Sequence, residues 1–380
     1  WYPIFFKLKK MKISFILISG DTVTDSILYN KQIDFLNLYK DINLLSDILK
    51  NSDEGKKLEN QMKKIIDSSK IEGIVSLSNY LMEEIFRSIS IMEIVEPILL
   101  KNKFETLIGI ADGERLERTT ILLAQKLKIK NFSMLPIIPN PHPYFADWYK
   151  ADKIFVPGQK GVEILEELGY NKNKLIITGN PKYDFFQKLD QIKLKKNIMK
   201  KYGISFEKII LVGMSRWHKN DEKWMSDLIK FCSVNKLGII IKIHPTYKIS
   251  NHEESESKIK FIKKSCEKYN FLITYDENIY ELISASDILI TEFSTVGIEA
   301  VLLNKPVITV NFSNEDLGQY VERLDKINAS FYIEDYVSLE DTIKEIFKNN
   351  ETIKKLKEGQ NTVRGLHNFS NDGMASERII

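Results

Sequence analysis

Hydroxyl, imidazole, guanidinium and ammonium groups follow four of the five apolar runs in the second half of the chain. Each run has the length and composition of a buried strand, and in parallel α/β sheets ligands bind beyond the carboxyl ends of the strands. Such a set of donors and positive charges is suited to holding an anion such as phosphate. The side chains that we assign to this predicted phosphate cradle are Arg216, His218, Lys219, His244, Ser294 and Thr295.

Three of the positions in the second half have both a structural and a functional explanation. Ser294 directly precedes a predicted helix, where serine commonly acts as the cap but where free backbone N–H groups also attract phosphate. His244 stands before a proline and either closes a turn or contacts the phosphate. Glu299 lies in the apolar run 296–303; it is either a solvated helix carboxylate or one that needs a partner, such as a ribose diol.

In the first half, the candidate catalytic groups are an aspartate and a histidine. Asp112 follows an apolar run and starts a helix, so it either caps that helix or acts as a general base. His142 lies in segment 136–143, which has four prolines in eight residues, and it either lines an acceptor site or packs within the loop. Arg115 and Arg118 lie one helical turn apart and bind either a substrate anion or neighbouring glutamates.

These side chains need a scaffold that brings strand ends together, and the spacing of apolar residues predicts one. Short apolar runs alternate with stretches of helical spacing, which is typical of βαβ units around parallel sheets. In the first half the predicted strands are 11–20, 72–77, 106–110, 132–135, 153–156 and 174–178. In the second half they are 208–213, 238–243, 271–275, 287–291 and 306–310, followed by one terminal helix over 338–358. The predicted class is therefore α/β, with two doubly wound sheets.

The division into domains follows from a charged stretch without a strand between the two series. Residues 1–10 precede Met11 and are interpreted as a remnant of a longer chain. We expect an N-terminal Rossmann-like domain, a linker, a C-terminal Rossmann-like domain and a tail over residues 1–185, 186–206, 207–365 and 366–380, respectively.

The composition excludes several functional classes. Lysine and arginine total 55 against 52 acidic residues, and this near-neutral balance argues against binding of nucleic acid. The hydrophobic content of 43% excludes a mainly disordered chain. The two cysteines have no partner spacing, which argues against a disulfide framework or a cysteine-based zinc site and fits the reducing cytoplasm. No cluster of metal-ligating residues is evident, so we expect no bound metal.

The first ten residues combine aromatic side chains with lysines. This pattern is typical either of an anchor on a membrane surface or of a short apolar cover on the domain. No apolar run approaches the roughly 18 residues of a membrane-spanning helix. We therefore expect a cytoplasmic protein, with the inner face of the membrane as the alternative location.

Four stretches carry motifs of known enzymes. They are 151–184, which ends in Gly-Asn-Pro-Lys-Tyr-Asp; 242–245, with its His-Pro pair; 286–308; and 371–378, with Asp-Gly-Met-Ala-Ser-Glu-Arg. Together they resemble the GT-B superfamily, and within it the enzymes of bacterial surface-polysaccharide synthesis. These enzymes include CDP-glycerol glycerophosphotransferases, bacterial sialyl-, polysialyl- and Kdo-transferases, and UDP-N-acetylglucosamine 2-epimerases. The resemblance implies two Rossmann-like domains that face each other across a cleft.

The resemblance also implies roles for single residues. His244 would contact the donor phosphate, Ser294 and Thr295 would bind phosphate at a helix start, and Glu299 would bind the ribose. Asp112 precedes a glycine, as in the base motif of bacterial sialyltransferases, although an alanine precedes it here. Segment 215–220 occupies the place of a basic segment of the epimerases. Leu-Pro-Ile-Ile replaces the Gln-His-Gly of the capsule and teichoic acid relatives at 135–138.

The combined interpretation is a glycosyltransferase that moves a sugar or sugar-like unit from a CMP-, CDP- or UDP-linked donor to a glycan or lipid-linked acceptor. The donor phosphate would lie on the second domain, and Asp112 or His142 would be the base of an inverting reaction. No tightly bound cofactor is expected. The alternatives are glycerophosphate transfer from CDP-glycerol, 2-epimerisation of UDP-N-acetylglucosamine, and a non-catalytic GT-B module that only binds.

Overall fold

A computed structural model describes most of the chain, which divides into two compact units. The N-terminal unit comprises residues 2–157, 162–177 and 379–380, and the C-terminal unit comprises 158–161 and 178–378. The described residues are 2–68, 77–138, 142, 145–214, 221–244, 247, 253–292, 294–313 and 323–380.

The N-terminal unit begins with a mainly helical region and continues with alternating strands and helices. Its first elements are α1 (Tyr2–Lys10), β1 (Ile18–Ser19), α2 (Thr22–Asn30), β2 (Leu36–Asn37), α3 (Tyr39–Asn51), α4 (Asp53–Ser68) and α5 (Ser78–Asn102). Then follow β3 (Thr106–Ile110), α6 (Arg115–Lys126), β4 (Lys130–Met134), β5 (Lys153–Val156), α7 (Gln159–Glu167) and β6 (Leu175–Ile177).

The sheet of the N-terminal unit has four parallel strands in the order β3-β4-β5-β6, and β1 and β2 form a separate parallel pair. Helices α5 and α6 pack against one another, with α6 also on β3 and β4. Buried apolar side chains of these elements form two hydrophobic cores. Val95 and Leu123 belong to one core, and Leu165 belongs to the other. The strands predicted from apolar runs at 106–110, 132–135, 153–156 and 174–178 are all present, with ends shifted by at most two residues.

The predicted strand at 11–20 is wrong over most of its length. Only Ile18–Ser19 pairs, and its partner is the equally short β2. Ile13 and Ile16 are 41% and 40% exposed, so the apolar run does not enter a core. A continuous apolar run is necessary for a buried strand, but it does not ensure that a neighbouring strand is available to pair with it. The strand predicted at 72–77 falls almost entirely outside the described residues.

The C-terminal unit is a regular series of strands and helices. Its first elements are α8 (Gln191–Tyr202), β7 (Ile209–Met214), α9 (Asp221–Val234), β8 (Gly238–Ile243), α10 (Glu253–Lys268), β9 (Leu272–Thr274) and α11 (Ile279–Ala285). The others are β10 (Ile288–Thr291), α12 (Val296–Leu302), β11 (Val307–Val310), β12 (Phe331–Ile333), α13 (Tyr336–Lys348), α14 (Asn350–His367) and α15 (Ala375–Ile379), and a 3₁₀ turn, Pro181–Lys188, precedes α8.

The six strands of this unit are parallel and lie in the order β9-β8-β7-β10-β11-β12. Every residue of β7 and β8 is buried, which explains why these strands read as continuous Ile- and Val-rich runs rather than as alternating patterns. The chain reverses its direction of winding between β7 and β10. This position is the topological switch point of a doubly wound sheet, where the strand ends leave a crevice.

Three boundary predictions in the second half differ from the structure. The expected linker, 186–206, is part of the C-terminal unit: α8 packs against α11 and Ile198 is buried. The single helix predicted at 338–358 is two helices, because Asn349 is extended and its side chain accepts hydrogen bonds from the N–H groups at the start of α14. The expected tail over 366–380 continues α14 and forms α15, and the short strand β12 was not predicted.

Candidate functional site

The switch point of the C-terminal unit places the end of β10 beside the end of β7. Thr291 pairs with Gly213 in register, and its Oγ1 donates a hydrogen bond to the Gly213 carbonyl at 3.1 Å. Strand β8 lies on the other side of β7. The ends of β8 and β10 are therefore two strand spacings apart, roughly 10 Å, a distance that a nucleotide diphosphate spans. The segments that follow β7, β8 and β10 contain the six residues of the predicted phosphate cradle.

The segment after β10 leads into a short helix. Thr295 occupies the N-cap position of α12 and is exposed, and its side chain makes no capping hydrogen bond. The Ser294 Oγ accepts from the Val296 N–H at 3.4 Å, a long contact that satisfies this donor only weakly. The structural explanation of Ser294 is therefore supported only by this long contact, and binding of phosphate by Ser294 and Thr295 stays a prediction.

The other members of the predicted cradle are only partly described. His244 is exposed and directly follows β8, and its carbonyl accepts a hydrogen bond from the Tyr247 N–H at 3.1 Å. This contact closes a turn, as the structural explanation of His244 requires, and leaves the side chain at the carboxyl edge. Arg216, His218 and Lys219 lie outside the described residues, so their roles stay predictions.

Glu299, in the first turns of α12, has partners within the chain. Its side chain is only 6% exposed, and the Lys182 ammonium lies 2.7 Å from Oε1. The Tyr280 hydroxyl donates to the same oxygen at 3.1 Å. The chain itself therefore supplies a partner for this buried carboxylate, and that partner is Lys182. Binding of a ribose by Glu299 stays a prediction.

Asp112 is enclosed in the N-terminal unit. It is 0% exposed. Its Oδ1 accepts from the Ser133 hydroxyl at 2.9 Å, and its Oδ2 accepts from the backbone N–H groups of Lys150 and Ala151 at 2.7 and 2.8 Å. A general base must reach the proton that it removes, whereas this carboxylate is buried and hydrogen-bonded by its own unit. These contacts hold the 147–151 loop against the strand ends. They do not fit the predicted role of Asp112 as a base.

The glycine after Asp112 also has a structural reason. A Cβ atom at Gly113 would lie 1.7 Å from the nearest ring atom of Trp148, so only glycine allows this ring to approach. The Asp-Gly pair that suggested a sialyltransferase base motif is thus explained by packing in this chain.

The two arginines of α6 contact protein groups. The Arg115 guanidinium forms an ion pair with Glu84. Arg118 donates to the carbonyls of Asp112, Asp147 and Trp148. Neither uses the neighbouring glutamates of α6, and neither presents a guanidinium without a protein partner to a substrate. His142 is exposed, and the Phe145 N–H donates to its carbonyl at 3.0 Å.

A glutamate that the sequence analysis did not select lies near the same strand end. Burial, together with the charges of Glu114, Asp21 and Asp112, raises the pKa of Glu117 from 4.5 to about 7. Among the described residues, no lysine or arginine pairs with it. A carboxyl group that titrates near neutral pH is suited to general acid–base chemistry. The sequence did contain a signal for Glu117: it is the third carboxylate after β3, one helical turn beyond Glu114.

Stability should depend on the protonation of Glu117. Its folded pKa is about 7 against 4.5 when unfolded, so the folded state holds the extra proton, and the stabilisation is complete below pH 4.5 and lost as the pH rises through about 7. Glu117→Gln should therefore unfold with a free energy about 1–3 kcal/mol higher than the wild type at pH 8, and should show no gain at pH 4.5.

Urea unfolding at the two pH values measures this difference. Glu93→Gln is the matched control, because Glu93 is exposed on α5, is not among the groups that raise the pKa of Glu117, and should change little at either pH. A Glu117→Gln protein no more stable than the wild type at pH 8 would contradict the prediction.

Two of the four stretches that carried the family resemblance contact each other in the C-terminal unit. The Asp184 carboxylate accepts from the N–H groups of Ala375 and Ser376 at 2.9 and 2.8 Å, and so caps the start of α15. The Arg378 Nε donates to the Thr178 carbonyl at 2.6 Å. Two sequence motifs almost 200 residues apart therefore bind each other.

Two classes of site are not found within the described ranges. These residues include no group of three or more histidine, cysteine, aspartate or glutamate side chains arranged to hold a metal ion. None of the helices in the part of the chain that the structure describes is long and apolar enough to cross a membrane.

Comparison with known proteins adds the family and the fold. A family model described as CDP-glycerol:poly(glycerophosphate) glycerophosphotransferase matches residues 144–380. The teichoic acid poly(ribitol-phosphate) polymerase of Bacillus spizizenii is 23% identical over 271 residues, which cover 67% of this chain and 40% of that protein. The chain thus spans well under half the length of this curated relative.

Solved structures share the fold at low sequence identity. The UDP-GlcNAc 2-epimerase from Neisseria meningitidis, bound to UDP-GlcNAc, is 16% identical with a TM-score of 0.65, and the match covers 99% of this chain and 93% of that one. The wall teichoic acid polymerase TagF is 15% identical with a TM-score of 0.52, over 72% and 70% of the two chains. These similarities confirm the predicted α/β fold class of GT-B type.

Proposed function

This chain belongs to the CDP-glycerol:poly(glycerophosphate) glycerophosphotransferase family, and on that premise we propose that it is a transferase of bacterial surface-polymer synthesis. Its donor is a nucleotide-activated unit of the CDP-glycerol type, and its acceptor is a hydroxyl of a glycan or lipid-linked polymer. The sugar donor expected from the sequence becomes the alternative, because the family description names glycerol phosphate.

The observation that carries the donor site is the switch point between β7 and β10. Ser294 and Thr295 follow β10 there, and His244 follows β8 on the other side of β7. Hydroxyl and imidazole groups at the strand ends on either side of β7 offer hydrogen-bond donors to a diphosphate from two directions. Arg216, His218 and Lys219 follow β7 in the sequence and would add positive charge.

The proposed reaction breaks a phosphoanhydride bond and forms a phosphodiester bond. An acceptor hydroxyl oxygen bonds to the phosphorus of the glycerol phosphate unit, and the bond from this phosphorus to the bridging oxygen of the diphosphate breaks. The hydroxyl proton passes to a base, and CMP leaves with the electron pair of the broken bond. Because negative charge grows on the leaving phosphate, His244 and the hydroxyls of Ser294 and Thr295 act mainly by stabilising that charge.

The candidate bases lie in the N-terminal unit. His142 is exposed, and the pKa of Glu117 lies near neutral pH, so both suit proton transfer better than the enclosed Asp112. Of the two, Glu117 is on a regular helix, α6, whose position is set by packing against α5 and the sheet. We assign it as the first candidate to test, with His142 as the second.

We also propose that the protein binds at the inner face of the membrane, because a lipid-linked acceptor would lie there. Residues 2–20 contain four lysines and no acidic residue. Phe6 and Met11 are 56% and 50% exposed beside these lysines. Such a combination binds anionic lipid surfaces. Failure of the protein to sediment with phosphatidylglycerol vesicles at low salt would overturn this part.

Incubation with a panel of donors tests the proposed activity. CDP-glycerol should raise the melting temperature and should release CMP when an acceptor polymer is present, because a ligand that binds only the folded state stabilises it. CMP- and UDP-sugars serve as the competing donors. Conversion of UDP-N-acetylglucosamine without acceptor would instead indicate an epimerase. A thermal shift without any turnover would indicate a binding module, and no shift with any nucleotide would refute the donor site.

A further inference from the structure

A cavity of about 250 Å³ lies between α3 and α5 of the N-terminal unit, apart from the sites described above. The two helices share a hydrophobic core, to which Ile42 of α3 and Ile91 and Val95 of α5 belong. Beyond this core the helices present polar side chains to each other. Those that line the cavity are Asn43, Ser46, Asp47, Lys50, Glu83 and Arg87. We call it the α3–α5 cavity.

Ser46 places a buried hydroxyl in the wall of this cavity. The residue is only 8% exposed, and its Oγ forms no hydrogen bond with any residue that the structure describes. Serines inside helices commonly donate to the carbonyl one turn earlier, and Ser88 and Ser90 of α5 do so at 2.7 and 2.8 Å. A buried hydroxyl without a partner costs free energy. The hydroxyl of Ser46 is therefore available to a ligand in the cavity.

Two more polar side chains of the cavity are available in the same way. Within the described ranges, the Asn43 amide and the Arg87 guanidinium form no hydrogen bond and no ion pair, although both residues are half-buried. Asn43 is one helical turn before Ser46, so their side chains are neighbours on one face of α3. Four other arginines bind oxygens of the protein, namely Arg115, Arg118, Arg323 and Arg378.

The charges around the cavity leave Arg87 free to attract an anion. Glu83 accepts a hydrogen bond from the Lys50 ammonium at 2.5 Å, and this contact lowers the pKa of Glu83 and raises the pKa of Lys50. The charge of the exposed Asp47 acts on the same ammonium. The Lys50 and Glu83 side chains are 50% and 48% exposed, so the cavity is open to solvent on their side. A guanidinium offers a planar fork of donors that matches phosphate oxygens.

We infer that the α3–α5 cavity binds a polyol phosphodiester, with Arg87 on the phosphate oxygens and Asn43 and Ser46 on the polyol hydroxyls. Amide and hydroxyl side chains both donate and accept, as polyol hydroxyls do. The volume is below that of pockets for drug-sized ligands, so it suits a single unit. The source of the unit rests on the proposed function: poly(glycerophosphate), which the family description names, repeats these two kinds of group.

The position of the cavity assigns it to a part of the acceptor polymer that does not react. Glu84 lies on α5 between Glu83 and Arg87, and it forms the ion pair with Arg115 at the start of α6. Glu117, the first candidate base, is two residues further along α6. Because the axes of packed helices are roughly 10 Å apart, the cavity is near this base but does not include it. The unit in the cavity would therefore be a neighbour of the reacting unit.

Calorimetric titration with a synthetic glycerol phosphate oligomer tests this inference without any nucleotide. The wild type should bind the oligomer, and Arg87→Met should bind it about tenfold or more weakly. Arg87→Lys, which keeps the charge but not the fork, should lose part of the affinity. Ser46→Ala should bind about fivefold more weakly, yet unfold at the same or a higher urea concentration, because its hydroxyl has no protein partner to lose. A serine with only a structural role would lower that concentration.

Lys101→Met is the matched control. Lys101 is exposed in the last turn of α5, about 20 Å along the same helix from Arg87, so its loss removes one positive charge without changing the cavity. Binding of the oligomer should stay at the wild-type level.

Phosphatidylglycerol vesicles offer the same phosphodiester as a lipid headgroup and so distinguish its two sources. Arg87→Met should sediment with these vesicles as the wild type does. Weaker sedimentation, with oligomer binding unchanged, would assign the cavity to the headgroup and overturn its assignment to the polymer.

The remaining outcomes separate this inference from the proposed function. Absence of oligomer binding in the wild type overturns the inference, as does binding that Arg87→Met leaves unchanged. Oligomer binding that falls as much in His244→Ala as in Arg87→Met would place the oligomer at the donor site, and also overturns it. Failure of CDP-glycerol to bind refutes only the donor site. If Arg87→Met does not fold, an Asn43→Ala protein with wild-type affinity for the oligomer overturns the inference.

Discussion

Replacing Asp112 by alanine should lower the free energy of unfolding by about 3–5 kcal/mol. The side chain is 0% exposed and accepts hydrogen bonds from Ser133, Lys150 and Ala151, so the substitution leaves two backbone N–H groups and a hydroxyl without their acceptor. Unpaired buried donors lose their interaction with water and receive nothing in exchange. Urea unfolding followed by circular dichroism measures the loss.

Asp147 offers the matched control for this substitution. It lies in the same loop, but its side chain is 80% exposed and forms only an ion pair with Lys150. Asp147→Ala should therefore change the free energy of unfolding by less than about 1 kcal/mol. Equal effects of the two alanine substitutions would contradict the structural role of Asp112.

Asp112→Asn separates the structural role from the catalytic one. The amide oxygen can still accept from the two N–H groups, and the Ser133 hydroxyl can reverse to accept from the amide, so folding should be largely preserved. If Asp112 only positions the loop, transfer activity should stay within a few-fold of the wild type. If it is the base, as its sequence context suggested, activity should fall about 10²–10⁴-fold, because an amide cannot take a proton.

The second large effect is expected at His244. His244→Ala should reduce the turnover number for donor cleavage about 10²–10⁴-fold and change the Michaelis constant of the donor less. The reason is that charge on the leaving phosphate is greatest in the transition state, so the lost interaction matters most there. Because His244 is exposed, the melting temperature should barely change.

Lys236→Gln is the control for loss of a basic side chain next to β8. Lys236 is exposed just before the amino end of β8, so the substitution removes positive charge from the edge opposite the proposed site. Its turnover should match the wild type. A His244→Ala protein that retains turnover within threefold would remove His244 from the phosphate cradle.

The sequence predicted the C-terminal unit better than the N-terminal region, and the reason is the length of the apolar runs. Strands β7 and β8 are each buried over all six residues, and eight of these twelve residues are Ile, Leu or Val. Such runs identify central strands of a parallel sheet. Residues 11–20 have a similar composition, but only two of them pair. Pairing requires a partner strand, which local composition does not reveal.

In the candidate site, too, some features depend on residues close together in the sequence and others on residues far apart. The placement of His244, Ser294 and Thr295 after strands could be predicted because strand ends are local features. Sequence alone could not show that Lys182, 117 residues away, pairs with Glu299.

The sequence by itself determined the α/β class, most of the paired strands and the family motifs, because all three depend on residue types at short spacing. Only the tertiary structure decided which charged groups are already used within the protein. Asp112, Arg115 and Arg118 were candidates for binding or catalysis, and each contacts protein groups brought together by the fold. The free energy of a buried charge depends on its neighbours in space, and those neighbours come from distant parts of the chain.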